Sequence, residues 1–175
     1  SSVGASKVSG PEGLLAALDS ALEWSEKALV EPFITARELE CSVVGNDEPK
    51  AFPPGEIVSS HDFYDYEAKY VDPNGAVLVI PAKVDERASK RIMELAVKAY
   101  STASLTGMAR VDFFMDKKDG TIYLNEVNTI PGFTHISMFP KMCEAGGLPY
   151  PELLELIARL GMERKRNRDA IRYVR

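Results

Sequence analysis

The 175-residue chain lacks any apolar stretch long enough to cross a membrane. Its longest apolar run, Ala-Val-Leu-Val-Ile, covers residues 76–80, whereas a spanning helix requires about 20 apolar residues. No positively charged segment followed by an apolar one opens the sequence, so nothing in it indicates secretion. We therefore expect a cytoplasmic protein without a membrane partner.

Side chains that ligate zinc are also scarce. The two cysteines, Cys41 and Cys143, form no CxxC pair, and the two histidines, His61 and His135, are far apart. These counts exclude a zinc ribbon and argue against a metal site built from several histidines. With 45% hydrophobic and 27% charged residues, the composition is that of a globular protein, and the length suits one domain, or one domain with a small lobe.

Charge is distributed unevenly along the chain. The net charge is −5, yet residues 159–175 contain seven Lys and Arg against Glu163 and Asp169. A basic tail of this kind contacts nucleic acid or anionic lipid in some proteins. We favour a solvated last helix, because cations suit the C-terminal end of a helix, and we expect no nucleic-acid partner.

The first residues read as the middle of a loop. They are small and polar, Ser-Ser-Val-Gly-Ala-Ser-Lys, and no methionine precedes them. We therefore expect a fragment of a longer protein whose N-terminal part is missing.

Spacing and capping residues predict the helices. A capping box at residues 9–12 predicts a helix to about Lys27. Asp85 is the expected cap of a helix that continues to about Ser104. Further helices are predicted at residues 136–145 and 151–160.

Strands are predicted in two hairpins and one short run. The hairpins join residues 38–44 to 50–58 and residues 109–115 to 121–127, and the run covers residues 29–34. Pro53 and Pro54 are expected to keep the second arm of the first hairpin at a sheet edge. Residues 59–70 read as a long loop. Hairpins mixed with helices predict an α+β fold with a largely antiparallel sheet.

The second hairpin carries the most informative residues. If Asp116 and Thr121 close its turn, Asp112 lies opposite Asn125 or Glu126. Alternation places Arg110, Asp112 and Phe114 on one face of the first strand, and Ile122, Leu124, Glu126 and Asn128 on one face of the second.

Acidic side chains that continue an apolar face need a cation, since an unpaired buried carboxylate is costly. The oxygen donors of Asp112, Glu126 and Asn128 suit Mg²⁺ together with substrate phosphates. Arg110 lies where it could neutralise a developing oxyanion. The alternative, equally supported by the pattern, is an ion-pair network that only ties two strands together.

Two loops extend this interpretation. Residues 128–134, Asn-Thr-Ile-Pro-Gly-Phe-Thr, lead into the next helix, where Gly132 would expose a backbone N–H beside an anion-favouring helix terminus. On its own, Pro-Gly indicates only a turn. The loop with Phe63, Lys69 and Tyr70 is typical either of a lid or of an inert surface loop.

Four segments together resemble one family. They are Ser-Ser-Val-Gly-Ala-Ser-Lys-Val, Phe-Tyr-Asp-Tyr-Glu-Ala-Lys-Tyr, Ala-Arg-Val-Asp-Phe-Phe and Tyr-Leu-Asn-Glu-Val-Asn-Thr-Ile-Pro-Gly-Phe-Thr. In this order they resemble the C-terminal ATP-grasp portion of the D-alanine–D-alanine ligase family, from Ser1 to about Ile157. The resemblance implies four parts: residues 1–58 as the end of a central ATP-binding lobe, 59–72 as a mobile lid, 73–160 as a metal- and substrate-binding lobe, and 161–175 as a basic C-terminal helix.

The resemblance also implies roles for individual residues. The expected ligands of two Mg²⁺ ions, which Mn²⁺ could replace, are Asp112, Glu126 and Asn128. The expected catalytic groups are Arg110 and the Gly132 N–H as oxyanion donors, with Tyr70 and Ser1 closing the acceptor subsite. Ser137 and Met138 are expected to hold the carboxylate of the second D-alanine. The expected ATP-binding residues are Ser2, Glu31, Phe33, Ile34, Glu38, Phe63, Lys69 and Asn125.

The implied reaction has two steps. A D-alanine carboxylate attacks the γ-phosphate of ATP to give D-alanyl phosphate and ADP, and the amine of a second D-alanine then displaces phosphate. The dipeptide serves peptidoglycan precursor synthesis, and Tyr70 favours D-alanine as acceptor over D-lactate. The whole enzyme of such a family has about twice this length and is expected to be a homodimer, so we expect this chain alone to be inactive.

Two other functions stay open. Another ATP-grasp carboxylate–amine ligase, with D-serine or D-lactate as acceptor, would share the same metal ligands. A non-catalytic module that binds Mg·ATP would show no D-alanine-dependent turnover.

Overall fold

The computed structural model describes residues 3–59 and 76–171. Within them it contains four α-helices, α1 Leu14–Leu22, α2 Glu86–Thr102, α3 Met138–Ala145 and α4 Tyr150–Asp169. Six strands form one sheet, β1 Ala36–Gly45, β2 Lys50–Ala51, β3 Gly55–Ser59, β4 Ala76–Val79, β5 Gly107–Asp116 and β6 Ile122–Asn128. The predicted α+β class with an antiparallel sheet is therefore confirmed.

The sheet has the order β4-β3-β1-β5-β6, and β2 pairs with β1 beside β3. Strand β1 runs antiparallel to β2, β3 and β5, and β5 runs antiparallel to β6. Strand β3 thus lies between β1 and β4, so the expected edge position of this arm is wrong. The reason is that Pro53 and Pro54 fall in the break between β2 and β3, where a missing N–H removes no ladder hydrogen bond.

Each face of the sheet packs against helices. On one face, Leu39, Cys41 and Val43 of β1 join Val111 and Phe113 of β5 in a cluster that α2 completes with Ile92, Ala96 and Tyr100. On the other face, Val44 and Phe52 join Phe139 and Cys143 of α3 and Leu153 and Leu160 of α4. We call these the α2 face and the α3 face.

The helices differ from their predicted bounds mainly at their ends. Asp85 caps α2 as expected, because its carboxylate accepts the N–H of Ala88 at 2.7 Å. The capping box is wrong, because residues 11–13 form a 3₁₀ turn whose N-cap is Gly10, which has no side chain, instead of Ser9. Helix α1 ends at Leu22 instead of Lys27, closed by the bond from Trp24 N to Ala21 O at 3.1 Å.

The C-terminal region is helical, as predicted, but it forms one continuous helix instead of two separate segments. Helix α4 continues well past the predicted end at Leu160, and its last turn carries Arg166 and Arg168. The predicted basic helix is therefore the second half of α4 as far as Asp169. None of the helices among the described residues is long and apolar enough to cross a membrane.

Chain contacts divide the protein into two units, Ser1–Thr35 with Ser59–Val77, and Ala36–Val58 with Leu78–Arg175. The predicted first segment, residues 1–58, spans both units, because β1, β2 and most of β3 lie in the second. In the first unit, residues 29–34 are not a strand. Leu29 and Val30 are exposed there, and Pro32 lacks the N–H that a paired strand would donate.

Candidate functional site

A row of acidic side chains crosses the α3 face of the sheet. Glu40 of β1 pairs with Asp112 of β5, which pairs with Glu126 of β6. Gly55 of β3 continues the row on the far side of Glu40. Glu40 and Asp112 are 5% and 7% exposed, so two carboxylates in this row are buried.

The register of the β5–β6 hairpin follows from its turn. Asp116 donates its N–H to Thr121 O and accepts the Gly120 N–H, both at 2.9 Å. The Asp119 carboxylate accepts the Thr121 N–H at 2.8 Å, and Gly120 has a φ of 75°, which glycine adopts without strain. The predicted closure by Asp116 and Thr121 is confirmed.

A bulge in β6 changes the predicted faces. Asp112 pairs with Glu126 but Phe113 pairs with Leu124, so Asn125 is the extra residue. Glu126 and Asn128 therefore share the face of Tyr123, and the expected common face with Ile122 and Leu124 is wrong. An inserted residue shifts the alternation by one, which strand periodicity alone does not reveal.

Arg110 links the acids of two strands. Its Nε and Nη2 donate to Oδ1 and Oδ2 of Asp112 at 2.8 and 2.7 Å. Its Nε also lies 3.1 Å from Oε2 of Glu40. One guanidinium thus contacts two buried carboxylates, and the predicted proximity of Arg110 to Asp112 is present in the structure.

Asn128 joins the same cluster from β6. Its Nδ2 donates to Asp112 Oδ2 and to Glu126 Oε1, each at 3.0 Å. Because the amide oxygen sits at the same end of the side chain, a half-turn about the last bond would present an oxygen donor instead. Asp112, Glu126 and Asn128, the three residues predicted as metal ligands, are therefore in mutual contact.

The electrostatics of the cluster favour a bound cation. Burial raises the pKa of Asp112 above its ordinary value, and Glu126 raises it further, while the hydrogen bonds from Arg110 oppose the rise. Burial lowers the pKa of Arg110, but Asp112, Glu40 and Glu126 outweigh this effect and keep the guanidinium charged. One cation thus faces three carboxylates.

These donors fit a hard divalent cation. Among the described residues, no three His, Cys, Asp or Glu side chains form a metal-holding group by themselves. A cation site here would consist of the carboxylates of Asp112 and Glu126 with the Asn128 amide. All three offer oxygen, the donor that Mg²⁺ takes in proteins, usually with waters and substrate phosphates completing the shell.

The loop after β6 is fixed to α3 and α4. Phe133 packs against Phe139 and Tyr150, with ring centroids 5.6 and 5.8 Å apart, and the Tyr150 hydroxyl donates to Phe133 O at 3.1 Å. These contacts hold the backbone next to Gly132. A side chain at Gly132 would meet Ser137 Oγ at 3.2 Å, so the loop passes close to the start of α3.

Ser137 and Met138 lie at the N-terminus of α3. Ser137 Oγ accepts the Thr134 N–H at 3.1 Å and lies 2.9 Å from Thr134 Oγ1. The Met138 side chain is buried, so only its backbone is suited to hold a carboxylate. The first N–H groups of a helix favour an anion; the predicted role of these two residues stays a prediction.

The predicted nucleotide-binding residues fall in both units. Glu38 lies on the same face as Glu40, one row further along β1, and pairs with Phe114 and Ile57. Asn125 is the exposed bulge residue. In the other unit, Glu31 and Phe33 are exposed and Ile34 is half-buried, and Lys7 Nζ lies 3.7 Å from the centre of the Phe33 ring.

Five predicted site residues lie outside the described part of the chain: Ser1, Ser2, Phe63, Lys69 and Tyr70. Two residues beside the site were not predicted. Glu40 contacts Arg110, and Tyr150 holds the Gly132 loop. Its position two residues after Glu38 on a predicted strand could have placed Glu40 on the same face as Glu38, but not opposite Asp112.

Comparison with known proteins places this chain in a family. A family model described as "D-ala D-ala ligase C-terminus" matches residues 1–159. The chain belongs to this family. It is 57% identical to the D-alanine–D-alanine ligase of Treponema denticola over 164 residues, which are 94% of the chain and 45% of that protein. It is 47% identical to that of Caldicellulosiruptor bescii over 173 residues, 99% of the chain and 47% of that protein.

Solved structures of D-alanine ligases have the same fold. The D-alanine–D-alanine ligase of Coxiella burnetii matches with a TM-score of 0.84 and 37% identity, over 97% of this chain and 44% of that one. The VanG D-Ala:D-Ser ligase of Enterococcus faecalis matches with a TM-score of 0.82 and 39% identity, over 91% and 46%. The chain spans about half the length of the D-alanine ligases that it matches.

Proposed function

We propose that the protein containing this chain is an ATP-dependent ligase that joins two D-alanines through D-alanyl phosphate, in the synthesis of peptidoglycan precursors. The observation that carries the proposal is the contact among Arg110, Asp112, Glu126 and Asn128 on one sheet face. This cluster appears in a chain whose relatives are named D-alanine–D-alanine ligases. We further propose a cytoplasmic homodimer, as expected from the sequence.

Asp112, Glu126 and Asn128 would hold two Mg²⁺ ions, or Mn²⁺, beside the phosphates. Bound there, the ions would neutralise phosphate charge during phosphoryl transfer. Glu38 lies on the same face as these ligands and is suited to bind the ribose. Glu31, Phe33, Ile34, Asn125 and Phe63 would bind the adenosine part, and Ser2 and Lys69 the phosphates.

In the second step, Arg110 and the Gly132 N–H would stabilise the oxyanion formed when the amine of the second D-alanine attacks the acyl phosphate. The Nε–Nη2 edge of Arg110 is held by Asp112, and a guanidinium can bind an oxyanion through its other edge. The contacts of Phe133 with Phe139 and Tyr150 fix the backbone beside Gly132. Such preorganised donors stabilise the transition state without reorganisation.

The acceptor would bind at the start of α3. Ser137 and the Met138 backbone would receive its carboxylate, and Tyr70 and Ser1 would close the subsite. A lid containing Lys69 and Tyr70 would exclude water, which otherwise hydrolyses an acyl phosphate.

Phosphate release from Mg·ATP by the full-length protein tests this proposal. We expect release that depends on D-alanine and yields D-alanyl-D-alanine by mass spectrometry. Binding of Mg·ATP without D-alanine-dependent release would instead make the protein a nucleotide-binding module and would contradict the proposal.

The likeness to the VanG D-Ala:D-Ser ligase supports a second candidate with the same first step and a different acceptor. Assays with D-alanine and an equal concentration of D-serine or D-lactate separate the two. We expect D-alanyl-D-alanine as the main product; a preference for the mixed product would favour the second candidate.

A further inference from the structure

We propose that Glu40 is a positioning residue that fixes the guanidinium of Arg110 within the site. The role of Arg110 in catalysis rests on the proposed function. The role of Glu40 in holding Arg110 rests on the contacts alone. Glu40 lies directly opposite Asp112 in the β1–β5 register and is buried. Its Oε2 lies 3.1 Å from Arg110 Nε.

Asp112 by itself holds Arg110 from only one direction. The two residues are neighbours on the same face of β5, so their bidentate pair is local to one strand. Glu40 reaches the guanidinium diagonally from β1, a distance that long side chains span. With Asp112 alone, the guanidinium of Arg110 can still rotate together with that carboxylate. A second contact from Glu40 on β1 restricts this rotation and so fixes the direction in which the free edge of the guanidinium points.

A second pair on the α2 face has the same diagonal geometry and provides a matched control. Arg37 of β1 precedes Leu39 by two residues, and Leu39 pairs with Glu56 of β3. Arg37 Nε and Nη2 donate to Oε1 and Oε2 of Glu56, both at 2.7 Å. If Glu40 only ties strands together, its loss and the loss of Glu56 should have similar consequences.

Steady-state kinetics of the full-length protein separate the two roles. In Glu40→Gln we expect kcat to fall about tenfold, while KM for ATP and D-alanine changes less than about twofold. In Glu56→Gln we expect kcat within about twofold of wild type. If Glu40 acts through Arg110, adding Glu40→Gln to Arg110→Lys lowers kcat by less than about twofold more. A kcat within about twofold of wild type in Glu40→Gln overturns the proposal.

The Arg110 side chain gives a readout that does not depend on activity. We expect solvent exchange of the Arg110 Nε–H, followed by NMR in the full-length protein, to accelerate in Glu40→Gln and to stay unchanged in Glu56→Gln. Glu40→Asp, which keeps the charge but is one methylene shorter, should accelerate it too and replaces Glu40→Gln if that variant does not fold. Unchanged exchange overturns the role of Glu40. Absence of ligase activity in the wild type overturns the proposed function instead, and the exchange measurement then decides on Glu40.

Discussion

Two arginine–glutamate pairs, one on each face of the sheet, share a diagonal placement across neighbouring strands but differ in their surroundings. On the α2 face, Arg37 forks onto Glu56 and also donates to Lys83 O at 2.8 Å. One cation meets one carboxylate there, beside the larger apolar cluster. On the α3 face, Arg110 meets both Glu40 and Asp112.

The two faces differ in the balance of positive and negative charge around the arginine. Arg37 and Glu56 cancel, so this pair needs nothing further and serves the fold. Around Arg110 the carboxylates of Glu40, Asp112 and Glu126 outnumber the cation, and Asp112 has a raised pKa as a result of its burial and of Glu126. A fold alone gains little from such an excess, whereas a site for cations and phosphates requires it.

The largest expected effect is on activity and only on the α3 face. Arg110→Lys removes the bidentate fork and should lower kcat of the full-length protein by about 10²–10³, the typical cost of losing an oxyanion donor. Arg37→Lys removes the equivalent fork on the α2 face and should leave kcat within about threefold. D-alanine-dependent phosphate release measures both. Equal losses of kcat in the two variants would contradict the contrast between the faces.

Gly55 on the α3 face leaves little room for a side chain. A side chain at Gly55 would lie 2.5 Å from Met138 Cε and 3.2 Å from Ile80 Cγ1. Gly55→Ala should therefore destabilise the protein by about 1–3 kcal/mol through overpacking. Gly161→Ala in α4, where a Cβ meets nothing within 4 Å, should stabilise it by about 0.5–1 kcal/mol. Urea unfolding monitored by circular dichroism measures both, and the same sign for both would refute this account of Gly55.

The raised pKa of Asp112 makes a prediction about pH. The folded state binds a proton at Asp112 more readily than the unfolded state does, so the contribution of Asp112 to stability increases as pH falls through its folded pKa. In metal-free buffer, the Tm of wild type relative to Asp112→Asn should therefore rise between neutral pH and the ordinary Asp pKa of about 4. Glu56→Gln, whose carboxylate lies on the other face, serves as the control. A wild-type Tm advantage over Asp112→Asn that shrinks as the pH is lowered would contradict the raised pKa.

The smallest effect concerns the two cysteines, one in each core cluster. Burial raises the pKa of Cys41 and of Cys143 to about 12, so both thiols should resist alkylation at mildly alkaline pH. Cys143 should label first, because it lies in a short helix, whereas Cys41 lies in a strand paired on both sides. Peptide mapping by mass spectrometry after timed labelling tests the order. Faster labelling of Cys41 would indicate that the α2 face opens first.

Local chemistry explains what was predictable from the sequence. Turn residues fixed the β5–β6 hairpin, and with it the meeting of Asp112 and Glu126, because Asp116, Asp119 and Gly120 act within a few residues of one another. The bulge at Asn125 was not predictable, because strand periodicity carries no signal for one inserted residue. The apolar run at residues 29–34 suggested a strand. The run contains Pro32, however, and most of its residues are exposed, so it does not join a sheet.

Long-range pairing explains what was missed. Glu40 meets Arg110 only because β1 pairs with β5, and no local pattern encodes the register of strands so far apart in the chain. The same holds for Tyr150, whose hydroxyl reaches Phe133 from α4. The roles expected for Ser1, Ser2, Phe63, Lys69 and Tyr70 stay predictions, since these residues lie outside the described part of the chain.

Cation binding to the full-length protein tests the central claim most directly, because it needs no turnover. Mn²⁺ binding in the presence of a non-hydrolysable ATP analogue can be followed by electron paramagnetic resonance in wild type, Asp112→Asn and Glu56→Gln. If the metal site lies on the α3 face, Asp112→Asn should abolish Mn²⁺ binding or weaken it at least about tenfold. Glu56→Gln should leave Mn²⁺ binding unchanged. Equal binding by wild type and Asp112→Asn would contradict it.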